Sequence, residues 1–376
     1  MLKGYYLSLM IGPAVPIPVS QDVLDSLQAV KVITTSGSTA SGFELTFSLN
    51  NRSSLQTIFL LTGGAQIPLV RVVIAVTVNG TTEVLMDGVM TNHQIAPGTD
   101  AGHSVLTVKG KDLTAVMDYI DFSGIPYPCM PAEARVALIL AKYLILGAVP
   151  LVIPSILIDI PIPIEQIPKH VGTDLKYVKY LADKVGYVFY VDPGPQPGTS
   201  VAYWGPEVRV GKPQPALNVN MDAETNVESM SFTWEADKKR MPILLIQEQL
   251  SKAVIPIPVP DVTPLSPPLG IIPPIPKHFD FIAGLGKYSF LQAAVIGLTK
   301  AAQSADAAFG TGKLDVLRYG RVLKARQLVG VRGVGPAFDG LYYVKSVTHQ
   351  VKRGEYKQEF TLARNGLLST FDKVPA

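Results

Sequence analysis

The chain has 376 residues, a formal net charge of +3, 47% hydrophobic and 17% charged residues, and a single cysteine. That length buries a sizeable core and suits roughly two to three domains. The small charge argues against a general nucleic-acid-binding field, and one cysteine excludes an intramolecular disulfide framework.

The N-terminal run Tyr5 to Ile11 follows Lys3 and is stopped by Pro13 and Pro16. It is too short for a signal peptide, and no small-residue cleavage site follows at the right distance. Three stretches then read as strands through alternation and β-branched enrichment: Gly42 to Leu49, Leu69 to Ala96 and Ser104 to Leu113. Asn79-Gly80 interrupts the second and is the strongest hairpin signal in the sequence. Together they predict a closed or nearly closed antiparallel β-domain.

From Pro131 the segment "PAEARVALILAKYLILG" predicts a helix ending at Gly147. Farther on, "GTDLKYVKYLADKVGYVFYVD" (Gly172 to Asp192) predicts a capped helix, a glycine stop and a strand. Thr173 or Asp174 caps it, Leu175, Val178, Leu181, Ala182 and Val185 share one apolar face, and Gly186 supplies the left-handed stop. Tyr187 to Val191 is the strand. Strands return at Ser200 to Val210 and Asn226 to Asp237, followed by a helix from about Tyr288 to Ala308. A closing pair, "GLYYVKSVTHQV" and "EYKQEFTLARN", turns around Lys352-Arg353-Gly354.

Three apolar, proline-rich segments lie at 13 to 19, 149 to 168 and 254 to 276. Flexible linkers are polar, whereas alternating Ile-Pro or Val-Pro favours stiff extended chain whose isoleucines need cover. The composition predicts ordered arms along a neighbouring surface, with loops packed on the same chain as an equal alternative. A membrane span is not expected: Tyr143 to Ile158 is uncharged but is cut by Pro150 and Pro154 and falls short of the ~20 residues needed. Burial of apolar surface between subunits explains the composition better.

Residues that carry chemistry are sparse. His93, His103, His170, His278 and His349 match no zinc or HExxH spacing, so each reads as an ordinary polar residue. Gly284-Leu285-Gly286-Lys287 lacks the phosphate-loop spacing, and Gly330 to Gly335 reads as a turn or a close backbone contact. Asp222, Glu224 and Glu228 read as solvated loop charges, as do the basic runs Lys109 to Lys111 and Lys238-Lys239-Arg240. Cys129 reads as a packed small hydrophobe. No catalytic, cofactor-binding or metal residue is assigned, and the chain is not expected to be an enzyme.

The Gly172 to Asp192 segment resembles the signature helix-turn-strand of the late control protein D family of phage baseplate hubs. That family includes the hub part of type VI secretion VgrG proteins. Val105 to Asp118 resembles the end of the family's first β-domain, and Tyr342 to Gly366 its closing hairpin. The resemblance implies an α+β, mainly β fold: two antiparallel β-barrel-like domains with a helical domain inserted between and beside them. On this reading the first β-domain spans 1–120 and the helical insert 121–195. The second β-domain takes 196–250 and 311–376, and a Pro-rich arm with a helix fills 251–310.

It further implies a homotrimeric ring that adapts a hexameric inner tube to a trimeric spike, with other baseplate or adaptor proteins as partners. Nucleic acid is not an expected partner, and no integral membrane segment is expected. The chain would be a particle component assembled in the bacterial cytoplasm. Neither a fused spike nor a lysozyme-like insert is recognisable before Ala376, so the spike is expected on a separate polypeptide. The alternative is a secreted or tail-associated β-protein that binds cell-surface glycan through aromatics such as Tyr203 and Trp204, although core packing is the favoured role of that pair. A tail-associated cell-wall hydrolase is the weaker rival, because no motif supports it.

Overall fold

In a computed structural model of the chain, the described residues are 4–13, 15–37, 39–49, 69–97, 104–155, 167–247, 254–259, 266–282, 297–298, 301 and 304–371. The first β-region comprises β1 (Tyr5–Pro13), β2 (Ile17–Pro18), α1 (Gln21–Ser26), β3 (Leu27–Thr35), β4 (Gly42–Leu49), β5 (Val70–Val78), β6 (Thr81–Ala96) and β7 (Ser104–Asp112). Next come α2 (Ala132–Ala141), β8 (Ala148–Val152), α3 (Asp174–Val185), β9 (Val188–Pro193) and β10 (Ser200–Gly205). The remainder holds β11 (Gln214–Asn218), β12 (Ser229–Trp234), β13 (Arg240–Gln247), β14 (Val254–Pro258), β15 (Gly270–Ile272) and β16 (His278–Ile282). It closes with β17 (Ala308–Asp315), α4 (Val316–Tyr319), β18 (Leu328–Arg332), β19 (Gly340–Lys352), β20 (Glu355–Arg364) and β21 (Leu367–Ser369). The fold is α+β and mainly β, with largely antiparallel sheets.

Thirteen strands join into one sheet, ordered β12-β17-β20-β19-β3-β4-β7-β6-β5-β1-β2, with β18 on β19 and β11 on β18. Side-chain alternation explains its two faces. In β4, Phe43, Leu45, Phe47 and Leu49 are buried while Glu44, Thr46 and Ser48 are only half-buried. One apolar core runs under both β-regions, from Leu9 and Ile74 to Tyr342 and Phe360. The Asn79-Gly80 hairpin forms as expected, with φ +49° and +83°, the two left-handed residues that a tight I′ turn requires.

Strand β5, "VRVVIAVTV", is buried along nearly its whole length because its second face is also covered. An αβ unit of α2, α3 and the small sheet β8-β10-β9 packs on the neighbouring β6, and Arg71 of β5 reaches it through the Gly198 carbonyl. Its core gathers Val89, Leu113, Val136, Ile139, Tyr177, Val178, Leu181, Phe189 and Trp204. Helix α3 follows the expected pattern: Thr173 Oγ1 accepts from Lys176 N–H at 3.4 Å, and Gly186 closes the helix at φ +73°. Its buried face also includes Asp174 and Tyr177.

Several expectations need correction. Helix α2 ends at Ala141 and passes into a 3-10 segment, Lys142–Leu146, before Gly147 stops it at φ +74°. Strand β10 ends at Gly205, and it belongs to the αβ unit, pairing between β8 and β9, and not to the second β-region. Likewise β13 joins β14 and β16 in a separate sheet. Of the helix read from Tyr288, most lies outside the described residues; Gly297, Leu298 and Ala301 are helical, and Ala308 already opens β17.

Where described, the proline-rich segments pair within this chain. Ile17–Pro18 lies on β1, Ala148–Val152 on β10, Val254–Pro258 on β13, and Gly270–Ile272 on β21. They nevertheless leave apolar side chains exposed, among them Val15, Ile17, Val149, Ile271 and Ile275.

Candidate assembly surface

The large sheet repeats itself. Taken in chain order, the first region's strands β1, β3, β4, β5, β6, β7 sit side by side as β3-β4-β7-β6-β5-β1. The second region's β11, β12, β17, β18, β19, β20 sit as β12-β17-β20-β19-β18-β11, which is the same permutation. The last pair differs, since β1·β5 is antiparallel and β11·β18 parallel. Even an irregularity recurs. Register shifts between Met90 and Asn92 in β6 and between Val344 and Ser346 in β19, so Thr91 and Lys345 are the extra residues of matching bulges.

The bulge in β19 changes that strand's neighbour. Before it, Gly340 to Tyr343 pair with β18; after it, Ser346 to Lys352 pair with β3, from Ser346 opposite Thr35 to Lys352 opposite Ala29. This β19·β3 joint welds the two regions into one sheet. Ser36 N–H donates to the Lys345 carbonyl at 2.7 Å. The Lys345 ammonium lies 3.1 Å from Asp306 and 3.6 Å from Glu207, which also hold the buried Arg209. Burial alone would raise the Asp306 carboxyl, but Arg209 and Lys345 outweigh it and hold the group at about 2. An ion cluster thus anchors the residue at which β19 switches partner.

Around this joint the face of the sheet away from the core is largely polar. One cross-strand row runs Asn92, Lys109, Glu44, Lys31, Gln350 and Lys357 over six adjacent strands. A second is a line of hydroxyls: Thr35, Ser346, Thr361, Thr311 and Ser231, the last two 2.9 Å apart. None of these residues is buried. Two stretches of strand edge have no strand partner among the described residues: β6 beyond Val89, and the outer side of β12.

Residues considered for chemistry scatter. Asp222 and Glu224 are exposed in one 3-10 turn, and Glu228 pairs with Lys357 at 3.0 Å. His93 is half-buried on β6, His278 is exposed, and His103 and Gly284 to Lys287 lie outside the described residues. Two histidines are buried. His170 Nδ1 meets the Tyr127 hydroxyl at 2.9 Å, and its Nε2 faces Asp174 at 3.5 Å. Asp174 in turn takes the Tyr143 hydroxyl at 2.7 Å and Lys142 at 2.6 Å, tying α3 to the end of α2. Burial lowers the His170 pKa against the pull of Asp174. At His349, Gln358 Nε2 donates to Nδ1 at 3.2 Å beside the Tyr356 hydroxyl. Both sites are packed within the fold. Among the described residues, no group of three His, Cys, Asp or Glu is placed to hold a metal ion.

Core packing holds for Trp204, and two further readings, at Cys129 and Lys239, change. Trp204 is fully buried, its indole N–H donating to the Val178 carbonyl at 3.3 Å, so it offers no sugar-stacking surface. Tyr203 stacks on Tyr190 and donates to the Pro206 carbonyl. Cys129 is exposed, at φ +56°, and Lys239 is buried. Gly330 to Gly335 does make the expected close backbone contact: a Cβ on Gly333 would stand 1.8 Å from the Val219 carbonyl oxygen.

This architecture is a fold shared with phage tail and type VI secretion proteins. The tail protein from Neisseria meningitidis MC58 superposes with a TM-score of 0.63 at 14% identity, over 97% of this chain and 98% of that one. The 43 kDa tail protein of prophage MuSo2 from Shewanella oneidensis gives 0.62 at 12% identity, over 96% and 99%. A chain of the Francisella PdpA–VgrG complex gives 0.64 at 9% identity, covering all of this chain and 60% of its own length. At such identities the likeness is one of fold. No protein-family model and no curated protein matches the sequence. Among the described residues no helix is long and apolar enough to cross a membrane.

Proposed function

We propose that the chain is a structural baseplate component of a contractile tail or contractile injection system, and that it serves as the hub. In this role three copies form a ring between a hexameric inner tube and a trimeric spike carried on another chain, with further baseplate or adaptor proteins around it. The repeated strand order, joined edge to edge at β19·β3, carries the reading. A chain with two similar halves lets three copies offer six similar positions to a tube and three identical ones to a spike. Closed heterologous rings are a common way to satisfy such surfaces.

The polar face suits the wall of a passage. Its rows of hydroxyls, amides and mixed charges hold no large apolar patch on which a passing chain would stick. The work is mechanical: rigid association that keeps the passage aligned while force is transmitted. Tail likeness of the fold supports the same reading. The particle would be assembled in the bacterial cytoplasm.

Quantitative mass spectrometry of sedimented native particles, referenced to the tube protein, tests it. Three copies per particle are expected. Absence of the chain from every tube-bearing particle would overturn the proposal.

A further inference from the structure

We infer that β6 of one copy pairs edge to edge with β12 of the next, in the register that β19 and β3 use inside each chain. The inference rests on the ring reading above and adds the strands, the register and the side chains that meet.

The repeat supplies the template. In the shared strand order β6 corresponds to β19 and β12 to β3. Within each chain the edge of β19 beyond its bulge is taken by β3. The corresponding edge of β6, beyond Thr91, has no strand partner among the described residues, and neither has the outer side of β12. Unpaired strand edges present rows of backbone donors and acceptors that template a further strand. Because the two free edges belong to different strands, their pairing is head to tail, the kind of contact that generates a ring when its rotation closes.

Register follows by carrying pairs across the repeat. Asn92 opposes Lys109, Lys109 opposes Glu44, and Glu44 opposes Lys31. In the second region Ser346 opposes Thr361, Thr361 opposes Thr311, and Thr311 opposes Ser231. Asn92 therefore stands where Ser346 does, and Ser231 where Lys31 does. The internal joint sets Thr348 opposite Ile33 and Gln350 opposite Lys31. The same register sets Gln94 opposite Thr233, and Ala96 opposite Ser231, of the next copy.

Side-chain chemistry agrees on both faces. Gln94 and Thr233 are exposed and continue the polar rows. On the core side, Ile95 is 41% exposed in the single chain and comes opposite Phe232, a half-buried ring already packed against the core. An aliphatic side chain thereby gains an aromatic neighbour across the joint. A register shifted by one residue would set Ile95 against Ser231 or Thr233 and lose both matches.

Paired cysteines test the register. In a Cys129→Ser background, Gln94→Cys with Thr233→Cys places Cβ atoms about 4.5–5.5 Å apart across the joint, close enough to bridge with slight adjustment. Mild oxidation should give covalent oligomers on a non-reducing gel, while Gln94→Cys with Ser229→Cys, four residues out of register, should give none. Native mass spectrometry of the unsubstituted chain is read alongside. Rings that form without a 94–233 bridge overturn this joint and leave the hub reading standing. A chain that stays monomeric at every soluble concentration, with no bridge, overturns both.

Discussion

The guanidinium of Arg71 forms two parallel 2.7 Å hydrogen bonds with the carboxylate of Asp87, both side chains buried beneath the αβ unit. Arg71 also donates to the Gly198 carbonyl at 3.0 Å, and Ser200 Oγ donates to Asp87 at 3.2 Å. The pair therefore clamps the β5–β6 hairpin to the start of β10. Asp87→Ala leaves a buried guanidinium without its carboxylate and is expected to destabilise the chain by about 3–5 kcal/mol in urea unfolding. The double change Arg71→Met with Asp87→Leu should recover part of the loss, because no charge is then stranded. A single Asp87→Ala variant as stable as the parent would show that the clamp contributes nothing.

Acid sensitivity has an identifiable source in His349. Burial holds its imidazole at about 3, against an ordinary 6.5. As pH falls below 6.5 the unfolded chain takes up this proton first, so stability present above that value drains away toward pH 3, by up to about 1.4 kcal/mol per unit. His349→Gln removes the titration and should flatten the slope of unfolding free energy between about pH 4 and 6.5. An unchanged slope would assign the acid sensitivity to other groups.

Two glycines separate backbone strain from close contact. Gly333 and Gly354 both adopt left-handed φ, +87° and +77°, but only Gly333 has backbone where a Cβ would go. Gly354→Ala is expected to cost about 1 kcal/mol for the conformation alone. Gly333→Ala should cost roughly 2–5 kcal/mol, since the turn must also move away from Val219. Equal losses by thermal denaturation would contradict the contact.

Cys129 should react completely with a thiol reagent in native buffer, because its side chain is exposed. A thiol that labels only after denaturant is added would restore the packed-hydrophobe reading.

Much of the fold was legible because periodicity is local. The caps at Thr173 and Gly186, the Asn79-Gly80 turn and the alternation in β4 each lie within a few residues of sequence. Trp204 marks the limit of such reading, because core packing is its favoured role in the sequence but its neighbours are not local. Its burial depends on Val178 and Tyr187, brought over it by the fold, and a window around "AYWGP" contains neither. The boundaries at β10 and β13 failed similarly, since a strand's sequence carries its face pattern but not the identity of its hydrogen-bonding neighbour.

The candidate assembly surface was the least legible part. Corresponding positions such as Lys31 and Ser231, or Asn92 and Ser346, share polarity but not residue type, so the repeat leaves almost no letter-by-letter trace. What recurs is strand order and the place of a bulge. Only the exposed Thr91 and the half-buried Lys345 mark it, and nothing local distinguishes a bulge from an ordinary strand residue there.

For the proposed ring, the β19·β3 joint also bears on how quickly copies would come together. Its two strands travel on one polypeptide, so it closes as fast as the chain folds and does not depend on dilution. In a ring of such chains every second seam is already made before any molecules meet. Closure would then join three molecules where separate halves would need six, and the threshold concentration for closure falls accordingly.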